Sequence, residues 1–522
     1  MDVATNTTSA PKPEAKKNTF EVRNPATGEV IRELPIHGSA EVAERMARVR
    51  QAAKKWAQVP IAERCRRVLV ARDVVARRMD DLAKTIVEES GKVAIEALTM
   101  DLGPTLLVMS YFGKHGAKIL ADEPIHLAVA KHRKSYVAYR PKGVIAAITP
   151  WNFPFFMPGS DVAMSFVAGN GVVLKPSEIT PLSALALKDC YDEAGLDPEL
   201  FQVVTGAGAT GAALIEAGPD HVVFTGSVSI GRKIAVACAE RLLPCTLELG
   251  GKAPAIVLDD ANLDRTANAL VWGGFSNAGQ VCASVERVYA VPAVYDRLLE
   301  KVVERTKAIR VGDPRSDNSD LGSMTFPRQR ENVVRLVEEA RHRGARVLTG
   351  GALPEGPGLF YPPTVIADCT HDMAIMTSEI FGPAIPFMRV SDEHDAVRLA
   401  NDSSLGLGAY VFTEDEARGR RVAEAIEVGS VMINDVVAHA GMPEMPWGGI
   451  KQSGLGVVRS DRGLKELCQQ RHVNYGRVPT GWMSGDPWWY PYSPKLRDGL
   501  KRAFVALFGD SMGSRVIQKL IG

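Results

Sequence analysis

The fold is predicted from the segment Val144-Ile145-Ala146-Ala147-Ile148-Thr149-Pro150-Trp151-Asn152-Phe153-Pro154. Its first five residues form an uninterrupted apolar run, which is typical of a parallel strand that is buried on both faces. Shorter runs of the same kind occur at Val172-Val173-Leu174 and at Val222-Val223-Phe224. Since open α/β sheets bind ligands beyond the carboxyl ends of their strands, the residues that follow each run are candidates for a binding site.

The composition limits the classes of protein to which the chain can belong. A chain of 522 residues is too long for one ordinary core, so two or three domains are expected. Its 46% hydrophobic and 24% charged residues are typical of a soluble globular protein. The formal net charge of +1 argues against a nucleic-acid partner, because binding phosphates requires an excess of basic residues.

Cysteine spacing and the chain's N-terminal residues indicate a compartment. The seven cysteines are scattered without a Cys-x-x-Cys pair, which predicts neither a metal site nor a disulfide framework and favours a reducing environment. Residues 1–18 are rich in Thr, Ala, Pro and Lys and lack the apolar core of a signal peptide, so we expect disorder there. No apolar run is long enough to span a bilayer. We therefore expect a cytoplasmic location.

A cysteine in a stretch of small residues, Cys282, is the candidate nucleophile. A thiolate attacks carbonyl carbon, and small neighbours leave room for a substrate and for backbone N–H groups near the reacting oxygen. A carboxylate from another segment, Glu248, can activate water to release an acyl group. From these residues alone, a small buried cysteine without a chemical role is the commoner outcome.

Two motifs favour the chemical interpretation. Gly279-Gln280 before Cys282, and the run Glu248-Leu249-Gly250-Gly251-Lys252, resemble the signatures of the NAD(P)-dependent aldehyde dehydrogenase superfamily of the non-acylating, hydrolytic type. The likeness extends from about Asn24 to about Tyr475. It implies an α/β fold with a Rossmann-type nucleotide domain, an α/β catalytic domain and a β-arm for oligomerisation.

The resemblance also implies a division of the chain. We expect a disordered N-terminus at 1–18, an NAD-binding domain at 19–122 and 143–250, an oligomerisation β-arm at 123–142 and 466–477, a catalytic domain at 251–465, and a C-terminal extension at 478–522. In the family the arm pairs with a second subunit, which predicts a homodimer or homotetramer. An ordinary hairpin is the alternative for the first part of the arm.

The adenosine half of an NAD site is expected at two strand ends. In the family, residues matching Lys175 and Glu178 hold the adenosine ribose, and a carboxylate there repels a 2′-phosphate, so NAD is favoured over NADP. Gly226, Ser227 and Gly231 match the family's pyrophosphate site, where a strand runs into a helix whose free N–H groups face phosphate.

Three further residues are assigned to the same cofactor. Trp151 lies in the matched stretch before Asn152, Glu379 matches a residue that binds the nicotinamide ribose, and Phe381 would pack against the nicotinamide ring. Plain core packing is the alternative for Phe381. The fingerprint Gly206-x-Gly208-x-x-Gly211 lacks the acidic residue expected about twenty positions later, so we interpret it as a tight strand-to-helix turn.

The mechanism implied by the resemblance uses three residues. Cys282 attacks the aldehyde, the Asn152 side chain and the backbone N–H of Cys282 hold the oxyanion, and hydride passes to NAD. Glu248 then activates the water that releases a carboxylate. The alternatives are a non-catalytic module that keeps the fold and a membrane-associated protein. No metal ligand is assigned.

The sequence says less about the small-molecule aldehyde itself. No arginine follows Cys282 before Arg287, so no clamp for a second carboxylate is evident. Aromatic and apolar residues that can line a tunnel suggest an uncharged aldehyde: Phe155, Phe156, Met157 and Trp447. The chain departs from the family pattern with Trp447 in place of a phenylalanine and with Val457-Val458 in place of Arg-Glu.

The C-terminal extension contains an aromatic cluster followed by a basic amphipathic helix. The cluster is Trp488-Trp489-Tyr490-Pro491-Tyr492. The apolar face of the helix consists of Leu496, Leu500, Ala503, Phe504 and Leu507, among the basic residues Lys495, Arg497, Lys501 and Arg502. This pattern is typical of peripheral contact with a membrane or of packing on the same subunit or a neighbour, and we favour packing.

Overall fold

The predicted apolar strands lie side by side in a mostly parallel sheet. A computed structural model describes residues 18–127, 132–477 and 489–510, together with Arg515. Val144–Ile148 is buried at every position, as its uninterrupted apolar run predicts. Gly454–Leu455 pairs antiparallel, and the other strands run parallel to their neighbours. Across the sheet the strands follow the order Gly454–Leu455, Cys245–Glu248, His221–Thr225, Val144–Ile148, Gly171–Lys175 and Phe201–Val203.

The register of this sheet brings the candidate residues to one edge. Ile148 pairs with Lys175 on one side and with Phe224 on the other, and Thr225 pairs with Glu248. Neighbouring strands therefore end at the same level. The segments that follow them leave from the carboxyl edge, where α/β sheets bind ligands.

A second, mostly parallel sheet is formed by later strands. Arg346–Thr349 pairs antiparallel with its neighbour, and the other strands run parallel. Their order is Arg346–Thr349, Thr364–Ala367, Ala384–Arg389, Arg287–Ala290, Pro254–Val257, Gly408–Phe412 and Ser430–Ile433. Short antiparallel pairs are Thr19–Arg23 with Val30–Pro35, and Leu405–Gly406 with Ile450–Lys451.

The chain forms helices both before and after the strand that begins at Cys245. Those before Cys245 are Ser39–Trp56, Ile61–Arg77, Met79–Ser90, Ala94–Glu96, Gly103–Ile119, Phe156–Ala168, Leu182–Glu193, Gly208–Glu216 and Val228–Ala239, with a π-helical turn at Ala97–Leu102. The later ones are Leu263–Phe275, Pro292–Lys307, Pro327–His342, Ala374–Thr377, Glu393–Asn401, Glu416–Ala425, Ser460–Glu466 and Pro494–Phe508, with 3-10 turns at Ser276–Gly279 and Ala438–Gly441.

Two separate helices form between Ile61 and Gly91. They are divided at Arg78, where the backbone leaves helical geometry. Gly91 ends the second helix with a left-handed φ of 79°. Ser39 is the first residue of the helix Ser39–Trp56, and the Glu41 carboxylate accepts a hydrogen bond from the backbone N–H of the N-cap residue Gly38 at 2.9 Å.

The described residues divide into two compact units. The larger lies within Met1–Ala117 and Pro141–Leu467, and the smaller within Lys118–Arg140 and Cys468–Gly522. A sheet associated with the smaller unit has the order Cys468–Gly476, Arg133–Pro141 and Glu123–Ile125. Inside it, Ser135 Oγ lies 3.1 Å from His472 Nε2.

The C-terminal helix Pro494–Phe508 begins after Ser493, whose hydroxyl accepts a hydrogen bond from the backbone N–H of Leu496 at 3.1 Å. None of its side chains is buried, and Phe504 and Phe508 are 56% and 71% exposed. Residues 1–17 of the predicted disordered segment and residues 478–488 of the extension lie outside the described residues.

No single helix in the described ranges is long and apolar enough to cross a bilayer. One pair of helices, Met79–Ser90 with Ala94–Ile119, meets the length and composition criterion together, with a bend of 117° between them.

Candidate active site

The loop that carries Cys282 contains successive residues in the left-handed region. The φ angles are 51° at Asn277, 52° at Ala278 and 69° at Gly279. A Cβ atom at Gly279 would lie 2.2 Å from the carbonyl oxygen of Gly382, so only glycine fits there. Left-handed backbone is unfavourable for residues with a Cβ and persists where the surroundings hold it, which is common at functional sites.

Asn152 lies against this loop and is 4% exposed. Its side-chain Nδ2 donates a hydrogen bond to the carbonyl oxygen of Gln280 at 2.9 Å. The backbone carbonyl oxygen of Asn152 accepts a hydrogen bond from Asn277 Nδ2 at 3.0 Å. An amide nitrogen carries two hydrogens, so the bond to Gln280 leaves one for a substrate oxygen. The structure thus brings Asn152 to the segment that precedes Cys282.

A buried ion pair holds the segment of Asn152. Lys92 Nζ donates to Asp101 Oδ2 at 2.6 Å and to the carbonyl oxygen of Asn152 at 2.8 Å. The other oxygen of Asp101 accepts hydrogen bonds from the backbone N–H groups of Phe155 and Phe156. Both charged side chains are fully buried. Sequence reasoning missed both residues. The available signal for Asp101 was that it is the only charged residue between Ala97 and Met109.

Glu248 is buried at the end of its strand. It is 4% exposed, and neither carboxylate oxygen has a hydrogen-bond partner in the part of the chain that the structure describes. Desolvation raises its pKa well above the ordinary value, and the nearby carboxyl groups of Asp161 and Glu466 raise it further, whereas the guanidinium of Arg459 lowers it. A carboxylate with a raised pKa is a stronger base than an exposed one.

The thiol of Cys282 belongs to the same electrostatic environment. Its pKa is raised to about 12, chiefly by desolvation and also by the negative charges of Glu248 and Glu379, whereas Arg459 lowers it. Close packing surrounds the residue, since a Cβ atom at Gly251 would lie 2.3 Å from the carbonyl oxygen of Cys282. The nucleophile and the carboxylate that the sequence assigned are therefore brought together.

Arg459 is a site residue that sequence reasoning missed. It is 1% exposed, and its guanidinium lies 5.4 Å from the ring centre of Phe156 and 5.5 Å from that of Trp447. These two rings were assigned to an apolar tunnel, but in the structure they face a cation. The available signal was the departure from the family pattern at Val457-Val458, immediately before this arginine.

A second buried ion pair holds the segment with Glu379 and Phe381. Lys252 Nζ donates to Glu286 Oε2 at 2.8 Å, and the Glu286 carboxylate accepts hydrogen bonds from the backbone N–H groups of Ile380 and Phe381. Glu379 Oε1 accepts a hydrogen bond from the Gly251 N–H at 2.9 Å. Desolvation raises the pKa of Glu379 to about 8.

Phe381 and Trp151 pack edge to face. Their ring centres are 5.4 Å apart with an interplanar angle of 85°, and both residues remain partly exposed. Partial exposure favours a binding surface over a closed core for this pair. The backbone of Phe381 has a left-handed φ of 49°, which sets the direction that the chain takes after this residue.

Lys175 and Glu178 lie at the end of the strand Gly171–Lys175. The ammonium group of Lys175 is buried and donates to the carbonyl oxygens of Pro176 at 2.7 Å and Gly206 at 2.9 Å. Glu178 Oε2 lies 3.8 Å from that ammonium group, and its side chain is 41% exposed. A half-exposed carboxylate beside a strand end can accept hydrogen bonds from ribose hydroxyls.

Gly226 and Ser227 precede the helix Val228–Ala239. Ser227 is the N-cap residue, is exposed, and its side chain makes no capping hydrogen bond. A Cβ atom at Gly231 would lie 2.4 Å from Leu249, so glycine allows the helix to pack closely on the adjoining segment. The first N–H groups of the helix are therefore open to a phosphate.

The geometry predicts a test of the Lys92–Asp101 pair. Lys92→Met leaves Asp101 charged and buried without its partner, so we expect a loss of about 3–5 kcal/mol in the free energy of unfolding. Adding Asp101→Asn removes the orphaned charge and should recover part of that loss. Urea denaturation measures both changes.

The control is Lys84→Met on a neighbouring helix. The Lys84 side chain is 76% exposed, so its removal should change the free energy of unfolding little. Equal effects at the two lysines would contradict this account.

Comparisons with known proteins match this chain along most of its length. The sequence profile described as "Aldehyde dehydrogenase family" matches residues 12–473. A 4,4'-diapolycopene aldehyde oxidase from Methylomonas sp is 35% identical over 506 residues, which cover 95% of this chain and 93% of that protein.

Two solved structures have a similar fold. An NADP-dependent enzyme from E. coli is 34% identical with a TM-score of 0.85, covering 88% of this chain and 95% of that one. A betaine aldehyde dehydrogenase from Staphylococcus aureus, in complex with NAD+, is 30% identical with a TM-score of 0.84, covering 90% of this chain and 95% of that one. The family resemblance and the α/β fold predicted from the sequence are confirmed. This protein belongs to the aldehyde dehydrogenase family and is an enzyme that oxidises aldehydes.

Proposed function

We propose that this chain oxidises an aldehyde to a carboxylic acid with NAD, through a thiohemiacetal and a thioester on Cys282, and with water as the final acyl acceptor. One observation carries the proposal: a thiol, a carboxylate and an amide from three distant segments share one buried site. Glu248 influences the pKa of Cys282, and Asn152 is bonded to the carbonyl of Gln280, two residues before the cysteine.

The first step is attack of the Cys282 thiolate on the carbonyl carbon of the aldehyde. A carbon–sulfur bond forms, and the π electrons of the carbonyl move to its oxygen. The side-chain N–H of Asn152 and the backbone N–H of Cys282 donate hydrogen bonds to this oxyanion. Lys92 and Asn277 donate hydrogen bonds to the backbone carbonyl oxygen of Asn152. The side-chain amide of Asn152 is therefore held in place before negative charge develops on the substrate oxygen.

A bound nicotinamide dinucleotide would supply the redox chemistry as the acceptor of a hydride. The residues of the chain suit such a group at several points. Lys175 and Glu178 would hold the adenosine ribose, Glu379 the nicotinamide ribose, and the open helix start at Gly226 and Ser227 the pyrophosphate. Trp151 and Phe381 would lie against the nicotinamide end of the dinucleotide.

The last step is hydrolysis of the thioester. Glu248 takes a proton from water, and the water oxygen forms a bond to the acyl carbon. The carbon–sulfur bond then breaks, which returns the cysteine and releases the carboxylic acid. Burial raises the pKa of Glu248, so its carboxylate is a stronger base whenever it is in the charged form.

The catalytic roles predict two different kinetic defects. Cys282→Ala removes the nucleophile, so NADH formation at 340 nm should disappear for every aldehyde tested. Glu248→Gln retains the attack and hydride steps but loses the base for hydrolysis. It should give a burst of about one NADH per site, followed by turnover that is about 100-fold slower than in the wild type.

Cys245→Ala is the matched control for the cysteine, since Cys245 is also only partly buried. It should retain NADH formation within about twofold of the wild type. The assigned roles would be contradicted if Cys282→Ala still formed NADH, or if Glu248→Gln showed no slowing of steady-state turnover.

Glu178 predicts the choice between dinucleotides. Its carboxylate would repel the 2′-phosphate of NADP, so Glu178→Gln should raise kcat/KM with NADP relative to NAD by about tenfold. Steady-state kinetics with both dinucleotides measure this ratio. Glu240→Gln, at an exposed glutamate that ends the neighbouring helix, should leave it unchanged. An unchanged ratio in Glu178→Gln would remove the basis for favouring NAD.

The chain is further proposed to form a homodimer or homotetramer through its β-arm. The edge strand Cys468–Gly476 exposes most of its residues, and an open sheet edge is a template for pairing with another copy. Sedimentation velocity should give a species of two or four times 56.4 kDa. A purely monomeric species at micromolar concentration would contradict this assembly.

A further inference from the structure

Arg459 is buried without satisfying its hydrogen-bonding capacity. It is 1% exposed, yet neither Nε nor Nη2 has a hydrogen-bond partner among the residues that the structure describes. A buried charge normally has its N–H groups paired, because leaving them unpaired after desolvation is unfavourable. The position of this guanidinium therefore requires a reason beyond its own stability.

Another buried arginine in this chain shows what a structural role looks like. Arg287 is also 1% exposed, and it donates through Nε, Nη1 and Nη2 to backbone carbonyl oxygens. Its acceptors are Lys252, Leu399 and Ala400. Within the described part of the chain, Arg459 makes no comparable set of bonds, so bridging segments of backbone does not account for it.

The chain holds Arg459 in place by other means. Its φ is 57° and that of Ser460 is 54°, both in the region that residues with a Cβ disfavour. The preceding residue, Val458, pairs with Trp447 through backbone hydrogen bonds of 2.8 and 3.0 Å. The guanidinium then lies near the rings of Trp447 and Phe156, which attract a cation through their π electrons.

The same backbone connects this arginine to the strand of Glu248. Gly454 is the pairing partner of Glu248, and the Leu249 N–H donates to the carbonyl oxygen of Ser453 at 2.9 Å. Arg459 follows this paired segment after a short loop. Its unpaired donors and the unpaired oxygens of Glu248 therefore belong to neighbouring parts of one site.

Arg459 could either bind a carboxylate of the substrate or balance negative charge that is already in the site, and the neighbouring charges distinguish these two roles. The titratable groups that interact electrostatically with it are Glu248, Cys282, Asp161 and His439. Two of these are carboxyl groups, so the local charge does not favour a second, substrate-borne carboxylate. The arrangement instead suits a cation that balances negative charge already present in the site.

We infer that Arg459 is a positioning residue of the reaction, whose fixed positive charge faces Cys282 and Glu248 and favours the thiolate and carboxylate forms in a buried site. This inference rests on the proposed function, because it concerns the same thiol and carboxylate. Arg459 forms no bond to the substrate in this role. It acts through the two groups that do the chemistry.

The electrostatic directions agree with the geometry. Desolvation raises the pKa of Cys282 and Glu248 raises it further, whereas Arg459 lowers it. For Glu248, desolvation is again the largest influence, and Arg459 opposes it. Removing the guanidinium should therefore make the thiolate scarcer at any pH below the pKa of the thiol.

The test is the rate at which iodoacetamide alkylates Cys282, followed by peptide mass spectrometry between pH 7 and pH 10. Only the thiolate reacts, so the rate reports its population. Arg459→Met and Arg459→Gln both remove the charge and should slow alkylation by about tenfold at each pH, as a shift of one pKa unit implies. Arg459→Lys keeps the charge and should stay within about threefold of the wild type.

Two further variants separate charge from packing. Glu248→Gln removes a negative neighbour of the thiol and should speed alkylation, and the double variant Arg459→Met with Glu248→Gln should return towards the wild-type rate. The control Arg287→Met removes an equally buried arginine. If folded by circular dichroism, it should leave the alkylation profile unchanged.

Wild-type alkylation rates in both Arg459→Met and Arg459→Gln would overturn the inference. So would an Arg459→Lys variant as slow as Arg459→Met. The readout needs neither aldehyde nor cofactor, so its outcome is separate from that of the proposed function. An inactive wild-type enzyme with the expected alkylation series would defeat the function and leave the role of Arg459 intact.

Discussion

The ion pair between Lys92 and Asp101 is the constraint on which the site depends. Two charges that leave water are tolerated only if their remaining hydrogen-bonding capacity is also satisfied. Here it is satisfied by the backbone after the first strand: the carbonyl of Asn152 binds the ammonium, and the N–H groups of Phe155 and Phe156 bind the carboxylate. The pair thus fixes the start of a helix and the amide that faces the cysteine loop.

The same solution occurs a second time. Lys252 and Glu286 are buried together, and the carboxylate holds the backbone of Ile380 and Phe381. Each pair fixes an irregular segment on which a candidate residue lies, Asn152 in one case and Phe381 in the other. Irregular backbone has no ladder of hydrogen bonds of its own, so buried side chains supply the partners that the segment needs.

Burial that fixes these segments also makes the chemistry harder. Desolvation raises the pKa of both Cys282 and Glu248, which disfavours the charged forms that attack and hydrolysis require. A cation in the same dry environment opposes this effect more strongly than it would in water. Arg459 is such a cation, and its position near two aromatic rings provides it with a favourable site without consuming its N–H groups.

Three adjacent strands of the first sheet, and the family, were predictable from the sequence alone, because uninterrupted apolar runs and contiguous motifs are local signals. It also proposed Cys282, Glu248 and Asn152 as a set, although their roles remain predictions. The pairing of Lys92 with Asp101 and the place of Arg459 in the site became visible only in the folded structure. Such contacts depend on left-handed turns and on packing between distant segments, and neither the period of the apolar residues nor the spacing of a motif encodes them.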